Sequence, residues 1–126
     1  MTINLSKLEK AITLQGNNQL DIAEKIYEDI LAKDGKDFNA LYLLGTIKAQ
    51  KNKNKEAILL IKKSLSINPN NFIAYSNLGL IYYNINKLEE AITEFNKSIL
   101  VNSKYSESYN GLGSVYLKKK KIPFSF

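Results

Sequence analysis

The sequence predicts an all-α fold made of antiparallel helix pairs. Apolar residues recur at i, i+3, i+4 and i+7 in one stretch after another, which is the spacing of one face of an α-helix. Short polar segments containing Gly, Asn or Pro separate these stretches and predict turns between helices. The whole pattern recurs along the chain at a fixed offset of 34. The positions that recur at this offset are Ala23, Ala57 and Ala91; Leu44, Leu78 and Leu112; Gly45, Gly79 and Gly113; and Tyr75 and Tyr109.

Residues 4–37 form the first predicted pair. A helix runs from Asn4 to about Gln15, a turn follows at residues 16–18, and a second helix closes at Gly35. Asp21 and Glu24 lie near the start of this second helix, where exposed amides favour negative charge. Its inward stripe is predicted to be Ala23, Tyr27, Ile30 and Leu31.

Residues 38–71 form the second pair. Its first helix runs from Phe38 to Gln50. Lys48 occupies the position that Tyr82 has in the next copy, which predicts a thinner seam, that is, less side-chain packing between the two helices of this pair. A polar turn with three lysines covers residues 51–55. The following helix ends at Pro69, because proline lacks the backbone donor and disfavours helical geometry in the residue before it.

Residues 72–105 carry the clearest copy of the pattern. The two helical stripes are Tyr75, Leu78, Gly79 and Tyr82, followed by Leu88, Ala91, Ile92, Phe95 and Ile99. A glycine inside a helix costs about 1 kcal/mol relative to alanine. The recurrence of glycine at 45, 79 and 113 therefore indicates a shared packing reason, close approach of two helices. The stripe Tyr75, Tyr82, Tyr109 and Tyr116 is interpreted as core packing.

A last helix is predicted from Ser106 to about Lys120, followed by a short tail at residues 122–126. Its four closing lysines suit the negative end of a helix dipole. Pro123 stops the helix, so the array ends half way through a pair. If no second helix packs against this helix, its face around Gly113 and Tyr116 is exposed apolar surface, which predicts self-association.

Several of these residues together resemble the tetratricopeptide repeat (TPR), a helix-turn-helix unit of about 34 residues. They are Asn77-Leu78-Gly79, Tyr82, Ala91, Phe95 and the break at Asn68-Pro69. The resemblance covers about three and a half repeats, at residues 4–37, 38–71, 72–105 and 106–121, the last being a half repeat or capping helix. It implies a right-handed α-solenoid of about seven helices, whose first helices line a concave groove for a partner's peptide or helix.

Mapped onto this sequence, the resemblance implies a neutral, amidic and partly aromatic groove. Its lining is Asn39, Tyr42, Thr46, Ile73, Ser76, Asn77, Leu80, Tyr83, Asn110, Ser114 and Lys118, with Leu5, Leu8 and Ile12 in the first repeat. TPR domains that hold the acidic C-termini of heat-shock chaperones grip carboxylates with Lys, Asn and Arg. Leu8, Ile12 and Ile73 stand where that grip needs polar residues, so we do not expect this ligand class.

The composition argues against catalysis and against metal or cofactor binding. The chain has no His and no Cys, its glycines form no phosphate loop, and Glu94 is predicted to be exposed, so we expect no enzyme activity, metal or cofactor. The net charge is +6 and all 18 basic residues are lysine. The clusters Lys51, Lys53, Lys55, Lys62 and Lys63, and residues 118–121, are interpreted as solvated faces. Because arginine and interleaved aromatics are missing from them, we do not expect nucleic-acid binding.

The predicted function is a protein–protein interaction module, a scaffold or assembly adaptor. No apolar run is long enough for a membrane span and the N-terminus lacks a signal-peptide core, so a cytoplasmic location is expected. The alternative is that the chain is the N-terminal TPR region, or a truncated piece, of a larger enzyme such as a glycosyltransferase or sulfotransferase. The abrupt Ile122-Pro123-Phe124 ending motivates this alternative, and the coding sequence beyond residue 126 would decide it.

Overall fold

The computed structural model describes the backbone of residues 2–121 and the side chains of residues 6–121. Within this part of the chain there are seven α-helices and no strand, which confirms the predicted fold class. The helices are α1 (Thr2–Gly16), α2 (Leu20–Lys33), α3 (Phe38–Gln50), α4 (Asn54–Ile67), α5 (Phe72–Asn84), α6 (Leu88–Val101) and α7 (Ser106–Lys121). The predicted tail at 122–126 and the side chain of Leu5 lie outside the described residues.

The helix starts repeat with the sequence. α3, α5 and α7 begin at residues 38, 72 and 106, and α2, α4 and α6 begin at residues 20, 54 and 88, so both series advance by 34. The polar turn predicted at 51–55 is shorter than expected, because α4 already starts at Asn54. None of the described helices is long and apolar enough to cross a membrane.

The turn inside each helix pair depends on one asparagine. Asn18, Asn52 and Asn86, spaced by 34, have φ of 64°, 61° and 65°, a left-handed conformation that asparagine tolerates better than most residues. The next residue then bonds back to the preceding helix, as when the Lys53 amide donates to the Lys48 carbonyl at 2.8 Å. This geometry is a Schellman C-cap, which satisfies carbonyls at the helix end.

The turns between pairs use side-chain caps. The Asp37 carboxylate accepts from the Ala40 amide at 3.1 Å and starts α3, and the Asn71 side chain accepts from the Ala74 amide at 3.0 Å and starts α5. Such N-caps satisfy amides that have no partner within the helix. Tyr105 holds the same register position before α7, and its phenol is not a capping group of this kind.

The chain divides into two compact units, Met1–Pro69 and Asn70–Phe126. In the first unit, α1 packs on α2, α2 on α3 and α3 on α4. Its core includes Ala11, Ala23, Tyr27, Leu44 and Ile47. A Cβ built on Gly45 would lie 2.6 Å from Ile61 Cγ1 and 3.3 Å from the Ala57 carbonyl oxygen, so this glycine sits where α3 and α4 come closest.

An ion-pair network joins α2, α3 and α4 in the same unit, where the sequence predicted only a thinner seam. The buried Lys48 ammonium lies 2.7 Å from Glu24 Oε2 and 3.2 Å from Glu56 Oε2. Lys51 pairs with Asp21 and, at 2.6 Å, with Glu24 Oε1. Hydrogen bonds from Lys48 and then Lys51 lower the pKa of Glu24, and the bond to Glu24 raises the pKa of Lys48.

In the second unit, α5 packs on α6, and α7 packs on both. Phe95 of α6 is fully buried, and its ring lies between two glycines. A Cβ on Gly79 would lie 2.9 Å from the ring, and a Cβ on Gly111 would lie 2.3 Å from it. The ring thus occupies the space that ordinary side chains on α5 and α7 would need.

Buried serines tie the second helix to the first in the second and third pairs. Ser64 Oγ donates to the Phe38 carbonyl and Ser98 Oγ to the Phe72 carbonyl, both at 2.7 Å. Ser98 Oγ also lies 2.7 Å from Ser108 Oγ, which links α6 to α7. Each of these bonds gives a buried serine hydroxyl a hydrogen-bond partner, and the small side chain adds little bulk between the helices.

Three sequence predictions about burial are wrong. Tyr109 and Tyr116 are 48% and 53% exposed, because no described helix covers that face of α7. Gly113 has no atom within 4 Å of a built Cβ, so the close-packed glycine of α7 is Gly111. Glu94, predicted to be exposed, is buried, with its carboxylate 3.4 Å from Lys97 Nζ.

Candidate functional site

A pocket of about 270 Å³ opens between α5 and α7 in the second unit. α5 and α7 supply most of its wall, and α6 contributes one side chain. The residues around it are Ser76, Asn77, Leu80, Tyr83, Phe95, Tyr105, Glu107, Asn110, Gly111 and Ser114. Six of these, Ser76, Asn77, Leu80, Tyr83, Asn110 and Ser114, belong to the groove lining assigned from the sequence.

The floor of the pocket is the Phe95 ring. The ring reaches the pocket because Gly111 carries no side chain, as its missing Cβ would overlap Phe95 Cζ. Leu80, 49% exposed, adds an apolar wall from α5. Because Phe95 is only 1% exposed, Leu80 supplies more of the accessible apolar surface than the floor does.

The rim of the pocket is polar. Asn110, Ser114 and Glu107 of α7 are exposed, and Asn77 of α5 is half-buried. Asparagine carries both a donor and an acceptor, so these amides can bond to the N–H and C=O groups of a polypeptide backbone. The pocket therefore joins an apolar floor to an uncharged amide rim with one carboxylate.

Lys118 closes one end of this surface. Its ammonium lies 4.4 Å from the centroid of the Tyr83 ring and donates to the Tyr83 carbonyl at 3.2 Å. A cation over an aromatic face is attracted by the ring quadrupole. The contact fixes Tyr83 and Lys118, two of the sequence-predicted residues, beside a smaller pocket of about 180 Å³ that Ser114, Leu117 and Lys121 also line.

The other residues that the sequence assigned to the groove lie outside the larger pocket. Ile73 is partly exposed on α5 and does not line the pocket. In the first unit, Asn39 is exposed and Tyr42 is half-buried. Thr46 Oγ1 donates to the Leu43 carbonyl at 2.7 Å and accepts from Gln15 at 2.8 Å, so its hydroxyl is already engaged.

Two residues predicted for the first repeat also differ from each other. Leu8 is half-buried and packs against the core of the first unit, whereas Ile12 is 45% exposed. Leu8 therefore acts as a packing residue, and Ile12 keeps an accessible side chain.

Sequence reasoning missed four residues around the pocket: Phe95, Tyr105, Glu107 and Gly111. The repeat offset could have found two of them. Glu107 occupies the repeat position of Ile73, and Gly111 occupies that of Asn77, and both of those earlier positions were assigned to the groove. Phe95 was assigned to the core, which it also belongs to.

The lysine clusters are partly engaged. Lys51 pairs with two carboxylates of α2, Lys118 contacts Tyr83, and Lys119 pairs with Glu89 of α6. These contacts reduce the positive charge that either cluster presents to a partner. Among the described residues, no group of three or more His, Cys, Asp or Glu side chains is placed to hold a metal ion.

Comparison with known proteins gives matches in sequence and structure. The family model described as TPR repeat matches residues 45–86 and 81–120. The crystal structure of MamA aligns with a TM-score of 0.86 and 21% identity over 93% of this chain and 68% of its own. No curated protein sequence matches.

Two further similar structures contain peptides. The first TPR of Spaghetti (RPAP3) bound to the HSP90 peptide SRMEEVD has a TM-score of 0.86 and 19% identity, covering 91% of each chain. The Yersinia enterocolitica type III secretion chaperone SycD in complex with a peptide of the translocator YopD also has a TM-score of 0.86, at 13% identity, covering 94% of this chain and 96% of its own.

Proposed function

Because the chain belongs to the tetratricopeptide repeat family, we propose that it is a protein-interaction module that binds a peptide segment of a partner protein at the pocket between α5 and α7. It acts as a scaffold or assembly adaptor. The single observation that carries this proposal is the pocket itself, where an apolar floor made by Phe95 is surrounded by the amides of Asn77 and Asn110.

The size of the pocket indicates what enters it. At about 270 Å³ it lies just below the roughly 300–1,000 Å³ that is usual for small-molecule sites. It suits one large apolar side chain of a peptide, placed on Phe95 and beside Leu80. The rim amides then bond to the flanking peptide backbone. These bonds contribute affinity that does not depend on charged side chains in the peptide.

The similar structures support a peptide ligand in general. Those of Spaghetti (RPAP3) and SycD hold peptides of HSP90 and YopD. The peptide in the former ends in acidic residues, and this chain lacks the side chains for such a grip, with Leu8, Ile12 and Ile73 at the corresponding positions and no Arg. We therefore propose an uncharged, apolar anchor residue in the ligand.

We assign no catalytic role to the chain, and the proposed location is the cytoplasm. The absence of a catalytic role is supported by the sequence, which contains neither His nor Cys. These side chains are the ones most used for acid–base and nucleophilic chemistry near neutral pH. An in-frame continuation of the gene into an α/β domain would instead favour the enzyme alternative.

A peptide selection tests the proposed site. Peptides enriched on the wild-type chain from a random display library are synthesised, and their affinity is measured by fluorescence anisotropy. We expect Leu80→Glu to weaken binding by about 100-fold, because a charge is placed beside an apolar anchor, and Asn110→Ala to weaken it by about tenfold through a lost hydrogen bond.

Matched controls make the test specific. Leu59→Glu on α4 and Asn96→Ala on α6 change the same residue types at exposed positions away from the pocket. They should leave the affinity within about twofold of wild type. Equal affinities for the pocket variants and the wild type would overturn the assignment of the site.

A further inference from the structure

The two pockets between α5 and α7 adjoin each other. The larger, apolar pocket and the smaller one share Tyr83 and Ser114 in their walls. On α7 the lining residues follow one face of the helix, with Glu107, Ser114 and Lys121 at i, i+7 and i+14. A peptide held in the larger pocket can therefore continue along α7 into the smaller one.

The two ends of this groove differ in charge. Glu107 lines the larger pocket where α7 begins, and Lys118 and Lys121 line the smaller pocket where α7 ends. The described residues around the smaller pocket include no carboxylate. Glu107 and Lys121 are exposed, and neither is ion-paired with another described residue. The groove thus has a negative end and a positive end.

The smaller pocket offers hydrogen-bond donors to an anion. Lys118 and Lys121 are one helical turn apart, so both ammonium groups lie on the same side of α7. The Lys118 ammonium has three N–H donors, and its bond to the Tyr83 carbonyl uses one. The exposed Ser114 hydroxyl can supply another donor. Two like charges at this spacing repel each other, and an anion placed between them offsets that repulsion.

We propose that the smaller pocket is a subsite for an acidic side chain of the peptide whose apolar anchor enters the larger pocket. This inference rests on the proposed peptide-binding function. Along α7, the two lysines lie about 10–15 Å from Gly111, which is beside the anchor, because an α-helix rises about 1.5 Å per residue. An extended peptide rises about 3.3 Å per residue, so its acidic residue lies about three to five residues from the anchor.

The two charged ends set the direction in which the peptide lies. The acidic residue is attracted to the lysines and repelled by Glu107, so it points toward the end of α7. The peptide residues between it and the anchor pass Leu117, which offers no donor to a carboxylate, and are uncharged in a fitting ligand. The HSP90 peptide SRMEEVD does not meet this condition, because two glutamates follow its methionine directly.

Peptide selection followed by a double-mutant cycle tests the subsite. Peptides selected on the wild-type chain should be enriched in Asp or Glu about three to five residues from a large apolar residue. The tightest of them, and the same peptide with that acid changed to its amide, are the two probes. Lys121→Gln should weaken binding of the acidic probe by about threefold, the effect of an exposed ion pair, and leave binding of the amide probe unchanged.

Charge reversal and salt give two further readouts. Lys121→Glu should weaken binding of the acidic probe by about tenfold or more, because like charges then face each other. Raising the NaCl concentration from about 0.05 M to about 0.5 M should weaken binding of the acidic probe to the wild type more than to Lys121→Gln.

The matched control is Lys120→Gln, which removes the same charge at an exposed position in the same helical turn but outside both pockets. It should change the affinity by less than about 1.5-fold. Neither lysine is buried, so both variants should keep the wild-type fold.

The possible results separate the subsite from the pocket that it extends. If binding depends on Leu80 but the selected peptides carry no such acid, the subsite is overturned and the peptide pocket stands. The same follows if the acidic probe loses no more affinity in Lys121→Gln than in Lys120→Gln. Peptides whose binding does not depend on Leu80 would overturn the proposed function, and the subsite with it.

Discussion

Replacing Gly111 or Gly113 of α7 by alanine should change the stability of the second unit in opposite directions. Both residues lie inside the same helix, so each gains about 1 kcal/mol of helix propensity on substitution. They differ in what the new methyl group meets. At Gly113 it meets open space, whereas at Gly111 it lies 2.3 Å from Phe95 Cζ, against 3.4 Å or more for an ordinary contact.

The cost at Gly111 follows from how Phe95 is held. The ring must move by about 1 Å, and it is already in close contact with α5 at Gly79, which leaves it little room. Overpacking of this kind costs about 1–3 kcal/mol, and we take the upper end because the ring is fully buried and packs against two helices. Once the gain in helix propensity is included, Gly111→Ala should lose about 2 kcal/mol, and Gly113→Ala should gain about 1 kcal/mol.

Urea unfolding followed by far-ultraviolet circular dichroism measures this difference. With an m-value of about 1.5 kcal/mol/M, a separation of about 3 kcal/mol moves the two midpoints about 2 M apart. The protein should be dilute, so that the self-association predicted from the sequence does not contribute. A Gly111→Ala variant as stable as the wild type would refute the packing argument, and a destabilised Gly113→Ala variant would show that the face is not open.

Three further predictions address the first unit, the serine link and the ligand. Glu24→Gln should destabilise the fold by about 1–2 kcal/mol at neutral pH, because Lys48 and Lys51 lose a shared carboxylate. Since the folded-state pKa of Glu24 lies below its usual 4.5, this contribution is present above that pH and disappears as the pH falls below it, so thermal melts of variant and wild type should converge in acid. Ser98→Ala should cost about 1–2 kcal/mol in chemical unfolding, while the exposed Ser66→Ala should stay within about 0.5 kcal/mol of wild type. Calorimetric titration with the peptide SRMEEVD should give no measurable heat of binding, and tight binding would contradict the expected apolar ligand.

The repeat period explains why so much of the fold could be predicted. Small and large residues at fixed offsets, such as Gly45 with Ile61 and Gly79 with Phe95, depend on contacts within one helix pair, which the sequence records directly. The same period carries information that was not used. Asn18, Asn52 and Asn86 mark the left-handed turn residue of every pair, and a search for recurring asparagines would have located all three turns.

Glu94 shows where helical phase alone misleads. Its position on the helix suggested a polar face, yet the residues at the same position in the two earlier repeats are Leu60 and Ile26, which are half-buried against the core. The repeat position therefore indicated that Glu94 is partly buried, whereas its residue type indicated that it is exposed to solvent. The repeat position was the better guide in this case, because each helix pair packs in the same way.

Tyr109 and Tyr116 could not be placed by sequence pattern. Both match the stripe that packs inward in α5, and the pattern is correct for a helix that has a following partner. Their exposure depends on whether another helix covers α7, which is a property of the assembly and not of the residues themselves. Lys48 is similar, because its ion pairs with Glu24 and Glu56 join three helices whose contacts no local pattern specifies.

The position of Phe95 limits how the pocket could diversify. Its ring is buried between α5, α6 and α7 and also lies at the base of the proposed binding pocket. Mutations there would disrupt the helices before they altered selectivity, whereas Leu80, Asn110 and Ser114 can vary at little structural cost. A library meant to retarget this domain should randomise those three sites and leave the aromatic base unchanged.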